Sequence, residues 1–164
     1  MIIRSEDRDL SQDRTEKREK AMRVLLLAAL IVWTLFIFAR SLRSADDSTA
    51  ESAFFLGLIR RIIPSVSMHF VRKLAHFTEF FMLGCLSSAL FSRLFGNRKK
   101  PALTGAAVSA CYGLAAAVTD ELLQLSSPGR SCQVSDMLLD FSGALTGIVL
   151  LSLLSAVSKR RKRI

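Results

Sequence analysis

Three stretches without a single charged residue constrain this chain more than any other feature. Val24–Ala39, Ala102–Thr119 and Phe141–Ser158 run uncharged for 16, 18 and 18 residues. A helix needs about 20 mostly apolar residues to cross a bilayer, fewer where flanking basic side chains reach back to the interface. Inside hydrocarbon the backbone must satisfy its own hydrogen bonds, which a helix does within one segment. A fourth stretch, Leu74–Ser92, is as long but contains His76 and Glu79. The expectation is an all-α, polytopic membrane protein: a bundle of four transmembrane helices. Residues 1–20 read as a charged cytoplasmic tail, 21–158 as the transmembrane domain and 159–164 as a basic cytoplasmic tail.

The net charge is +9. A basic excess can signal nucleic acid, but here the Lys and Arg side chains sit at the ends of the apolar stretches. That is the pattern of membrane orientation, so no nucleic-acid partner is expected. Seven basic residues precede the first stretch through Arg23, and five close the chain at Lys159–Arg163. The connection after the third stretch has one, Arg130. With four spans both termini lie on one side, and the short basic segments place that side in the cytoplasm. Six basic residues, Arg40, Arg43, Arg60, Arg61, Arg72 and Lys73, lie in or directly beside the first connection, against this trend, but they are spread over a long segment with Asp46, Asp47 and Glu51. The cell membrane is the expected location. The charged segment before the first span is longer than a usual signal-peptide n-region, which reads as a retained anchor. Cys85, Cys111 and Cys132 have no metal spacing, and a disulfide framework is not expected.

Along the chain, the spans are expected near residues 21–40, 72–95, 102–125 and 135–157. The basic turn Gly96–Pro101 and the Ser126–Arg130 turn separate the later ones. Between the first two spans, Phe54, Phe55, Leu58, Ile59, Ile62 and Ile63 fall at helical spacing before Pro64. This segment is too short to span. It reads as an extracytoplasmic, interfacial amphipathic helix.

After Glu51 the only acidic residues are Glu79, Asp120, Glu121, Asp136 and Asp140. The alternating direction of the spans brings all five to one leaflet, the extracytoplasmic one. Arg72, His76 and Glu79 share one helical face, as do Asp120 with Gln124 and Asp136 with Asp140. The face of Asp136 and Asp140 continues through Gly143 and Gly147, a spacing that admits a close helix neighbour, so these acids are expected to point into the bundle within reach of His76 or Glu79. Ionised groups at a span centre cost about 2.5–3.5 kcal/mol on the insertion scale, so they read as functional by default.

These residues also resemble a known family. Arg72-Lys73-x-x-His76-Phe77-x-Glu79-Phe80-x-x-x-Gly84, Asp120-Glu121-x-x-Gln124, Pro128-Gly129-Arg130 and Ser135-Asp136-x-x-x-Asp140-x-x-Gly143-Ala144-x-x-Gly147 resemble the VanZ-like family. The Ser-rich stretch from Ser41 to Ser52 resembles the segment after that family's first helix. The resemblance covers roughly residues 30–150. It implies a membrane protein of the bacterial envelope, with resistance to teicoplanin-type glycopeptides associated with some members. It marks His76, Glu79, Glu121, Gln124, Arg130, Asp136 and Asp140 as recurrent polar positions. Phe80 stands where Tyr is common, and Asp140 where Asn is common.

Three functions compete. The first is a noncatalytic envelope protein that binds a lipid or peptidoglycan-precursor group near the outer surface. Arg72, Lys73 and Arg130 would hold phosphate or carboxylate, helped by Glu121 and Gln124. The second is a membrane enzyme acting on a lipid or glycan head group, with catalytic candidates His76, Glu79, Asp136 and Asp140. The third is a proton- or cation-coupled transporter. The structural alternative is an interhelical polar lock at His76 and Glu79. The sequence names no cofactor and no metal. Trp33, Tyr112, Gly143 and Gly147 read as packing, and His69 as incidental to the cluster.

Overall fold

In the computed structural model, residues 3–96 and 101–161 are described. Five helices follow one another: α1 (Ile3–Ser41), α2 (Ala45–Ile59), α3 (Met68–Leu94), α4 (Pro101–Gln124) and α5 (Val134–Arg161). No strand occurs among the described residues. Four helices are long and apolar enough to cross a membrane, over Leu10–Ser41, Met68–Leu94, Leu103–Gln124 and Val134–Ser158. The basic turn at 97–100 and the last residues of the basic tail, 162–164, lie outside the described residues.

The bundle is dressed in apolar side chains. Val24, Leu25, Val32 and Leu35 on α1, Leu103 on α4 and Leu153 on α5 are each about 60% exposed or more. Apolar surface on this scale is matched by lipid rather than water. The interior is small by comparison. Phe80, Leu83 and Leu90 of α3 meet Leu30 and Ile37 of α1, Ala116 and Ala117 of α4, and Ala144 of α5. The central helix is α3, which packs most extensively on α5, then on α4 and α1.

Glycine sets the α3–α5 distance. A Cβ on Gly84 would lie 2.1 Å from the Ala144 carbonyl oxygen, and one on Gly147 would lie 2.2 Å from that of Phe81. A Cβ on Gly143 would lie 2.5 Å from the Phe77 carbonyl oxygen. Backbone therefore touches backbone along this seam, the close approach that small residues permit between membrane helices. The Cys85 thiol donates to the Gly147 carbonyl at 3.6 Å across the same contact.

Two boundaries differ from the sequence reading. The charged N-terminal segment continues α1 as one helix from Ile3. Its i,i+4 pair Lys17–Asp13 is fully at the surface, and Glu19 receives Arg93 from the end of α3 at 2.9 Å. The interfacial helix lies earlier than expected, at Ala45–Ile59, because Arg60–Pro64 forms turns instead of a further helical turn. Leu56 of α2 packs on Val66 and Val71, hooking α2 onto the start of α3. Phe54, Phe55 and Leu58 stay exposed, and Ile62 is 84% exposed in the turn beyond. An apolar helix that is too short to span and carries such a rim suits the membrane interface. Ser67 then starts α3 by accepting the Phe70 amide at 3.2 Å.

Candidate functional site

At the end of the bundle where α1 and α4 finish and α3 and α5 begin, polar side chains from every spanning helix meet. Ser41 is the last residue of α1, and its hydroxyl donates to the buried Asp120 carboxylate on α4. Its carbonyl accepts the Ser127 hydroxyl at 3.0 Å and Arg130 at 3.5 Å. One residue thus ties α1 to α4 and to the α4–α5 connection. Gln124, one turn beyond Asp120, donates to Asp120 at 3.1 Å and to Glu121 at 2.9 Å. The other Glu121 oxygen accepts the backbone amide of Gln133 at 2.9 Å, just before α5 begins. Glu121 therefore holds the entry of α5, where a negative charge also complements the helix dipole. The Pro128–Gly129 turn aims Arg130 back over the cluster, with Gly129 at φ 73°.

On α3, Lys73 pairs with Asp136 of α5 at 2.9 Å. One turn on, His76 Nδ1 lies 3.7 Å from Asp140 and 4.0 Å from Asp120. Asp140 is 1% exposed, and neither of its carboxylate oxygens has a hydrogen-bond partner among the described residues. Arg72 donates to Thr49 of α2 at 2.9 Å, while its Nε has no hydrogen-bond partner among the described residues. Arg130 is half-buried, and burial pulls its guanidinium pKa below the usual value. A guanidinium nevertheless stays cationic at neutral pH.

A cavity of about 160 Å³ opens among these groups. Arg72, Lys73, Arg130 and Asp136 line it, together with His69, His76, Glu121, Gln124, Gln133 and Asp140. Cationic groups from α3 and from the α4–α5 turn thus share one cavity with the buried acids of α4 and α5.

The family model of VanZ/LLP1 matches residues 26–155 of the chain. The chain belongs to the VanZ/LLP1 family. No curated protein and no solved structure matches it. The span matched to VanZ/LLP1 includes the whole cavity and excludes the charged N-terminal part of α1.

Within this VanZ/LLP1 fold, Arg72, Lys73, His76, Glu121, Gln124, Arg130, Asp136 and Asp140 all line the one cavity. Glu79 does not. It pairs with Arg40 of α1 at 2.9 Å, and its backbone carbonyl accepts Trp33 Nε1 at 2.9 Å. The expected face of Arg72, His76 and Glu79 is therefore divided: α1 covers α3 at Glu79, while α4 and α5 meet it at His76. Asp140 approaches His76 as expected. Asp136 faces Lys73 and the cavity, with a third of its side chain exposed.

Several residues escaped the sequence reading. His69 lines the cavity and is not incidental to it. Its signal was available, since His69, Arg72 and His76 follow i, i+3, i+7 on one face. Arg40 and Ser41 had no such signal, because a basic or hydroxyl residue at the end of a span is ordinarily an interface anchor. Trp33 and Tyr112 do pack, and both are also hydrogen-bonded: Tyr112 shares a 2.6 Å bond with Thr34 between α4 and α1.

Proposed function

We propose that the cavity opens at the extracytoplasmic face of the cell membrane and binds the anionic group of an envelope lipid or peptidoglycan precursor. The observation that carries this reading is the set Arg72, Lys73 and Arg130 around a cavity of about 160 Å³. Guanidinium groups bind phosphate or carboxylate through paired, charge-assisted hydrogen bonds. The volume supports a head group rather than a whole antibiotic, since drug-sized ligands occupy about 300–1,000 Å³. On this reading both termini are cytoplasmic, and α2 lies on the outer surface with its apolar rim in the interface. Any contribution to teicoplanin-type resistance would act through the bound precursor.

The test is binding of a polyprenyl diphosphate lipid to the protein in phosphatidylcholine nanodiscs, with phosphatidylglycerol as the comparison. The expected result is preferential binding of the diphosphate lipid, weakened at least tenfold by Arg130→Ala and again by Arg72→Ala. One charge-assisted hydrogen bond contributes about 1.5–3 kcal/mol, which is that range. Equal binding by wild type and the double variant would exclude the reading.

A second reading is a membrane enzyme acting on the same head group. It is favoured by His76 lying 3.7 Å from a buried carboxylate, Asp140, that has no hydrogen-bond partner among the described residues. Glu79 has no part in it, being held by Arg40. Product formation from the diphosphate lipid, lost in His76→Ala, separates this reading from simple binding.

A further inference from the structure

We propose that His76, Asp120 and Asp140 form a site for one divalent transition-metal ion, zinc being the best chemical match, at the inner edge of the cavity. One potential ligand atom from each lies within 4.8 Å of the other two. They come from α3, α4 and α5, so the site exists only when the bundle is assembled.

The distances favour a shared ion over a direct hydrogen bond. His76 Nδ1 is 3.7 Å from Asp140 and 4.0 Å from Asp120, beyond the 2.7–3.2 Å of an N–H···O bond. Two donors on one zinc ion, each about 2.0–2.2 Å from it, sit about 3–3.5 Å apart. The separations from His76 stand within about 0.5 Å of that range, and all three ligand atoms lie within 4.8 Å of one another.

The independent observation is Asp140 itself. It is 1% exposed, faces the cavity, and has no hydrogen-bond partner on either oxygen among the described residues. A buried carboxylate in that state is costly unless a cation satisfies it. The neighbouring acids are already engaged: Glu79 by Arg40, Asp136 by Lys73, and Glu121 by Gln124 and the Gln133 amide. Asp120 accepts hydrogen bonds from Ser41 and Gln124, both neutral, and the cation it shares with Asp140 is one imidazole, which carries at most a single positive charge. A divalent ion matches both.

The donor set indicates the metal. A nitrogen ligand beside two carboxylates suits zinc better than magnesium or calcium, which take oxygen-only shells. Three protein ligands leave a coordination position open, as in catalytic zinc sites. His76 and Asp140 also line the cavity, so water or an anionic oxygen there can complete the shell. Ser41 and Gln124 bind Asp120 and fix its carboxylate, a role second-layer partners commonly play at metal sites.

The test uses the full chain in phosphatidylcholine nanodiscs, stripped with a chelator and then dialysed against zinc, with magnesium in parallel. Metal content per chain is read by mass spectrometry. One zinc per chain is expected, with affinity reduced at least tenfold in Asp140→Asn and in His76→Ala. Cys132→Ser should retain it. X-ray absorption on the zinc-loaded wild type should show imidazole nitrogen and carboxylate oxygen without sulfur, and this decides the matter if a variant fails to fold. No zinc above that of lipid-only nanodiscs, equal retention by both variants, or a thiolate in the shell would each overturn the proposal. Because no anionic lipid is present, a negative result here leaves the head-group reading standing.

Discussion

Arg40, in the last turn of α1, and Glu79, midway along α3, form an ion pair with 2.9 Å between Nη1 and Oε1. The Glu79 side chain is 10% exposed and that of Arg40 27%. Arg40 also lies over the Phe36 ring, 5.7 Å from its centroid. This pair clamps α1, which has the lightest packing of the spanning helices against α3, to the centre of the bundle. Glu79 therefore binds α1 while His76 lines the cavity, although the two lie only three positions apart.

Breaking the clamp should cost stability and not chemistry. Glu79→Gln and Arg40→Met are each expected to lower unfolding free energy by about 2 kcal/mol, since each leaves a partly buried charge without its partner. The double variant should lose less than the sum. Thermal unfolding of all four proteins in one detergent gives the coupling energy. Strict additivity would show that the pair does not act as a unit.

The glycine seam supplies a contrast within one molecule. Gly84→Ala places a methyl group 2.1 Å from a backbone oxygen of α5, where no side chain can rotate away. Overpacking of this kind costs about 1–3 kcal/mol, and Gly84→Ala should fall at the upper end. Gly57→Ala on α2 meets nothing within 4 Å and should be neutral or stabilising by up to about 1 kcal/mol, through reduced chain entropy. Chaotrope-induced unfolding distinguishes the two, and equal effects would mean that α3 and α5 are not in backbone contact.

Asp140→Asn should make the chelator-stripped protein more stable. The amide nearly conserves volume and replaces a carboxylate that has no hydrogen-bond partner among the described residues by a neutral polar group, which is cheaper to bury than a charge. Zinc should then raise the unfolding temperature of wild type and leave that of the variant unchanged. A variant less stable than the stripped wild type would show that the carboxylate is satisfied within the protein.

Cys132 offers a direct reading of sidedness, because it lies in the α4–α5 connection. In intact cells an impermeant maleimide should label Cys132. In the Cys132→Ser background, a cysteine placed at Ser11 should react only after lysis. Labelling at position 11 in intact cells would invert the orientation and place the cavity at the cytoplasmic face.

The four spans and the convergence of five acids at one end were legible in the sequence. Span formation depends on local apolar content summed over about 20 residues, and alternating span direction converts chain position into depth without knowledge of packing. The family motifs rested on the same linear order. Partner choice lay beyond that reach. Periodicity puts Arg72, His76 and Glu79 on one face of α3, but which neighbour covers that face at each turn depends on how closely the helices approach. Gly84, Gly143 and Gly147 let α5 sit backbone to backbone on α3, which brings Asp140 to His76. The lighter contact of α1 leaves room for Arg40 to reach Glu79. The lack of hydrogen-bond partners for Asp140 among the described residues and the place of His69 in the cavity likewise came only from the assembled bundle, because a side chain's hydrogen-bond partners are set by three-dimensional distances that no sequence spacing encodes.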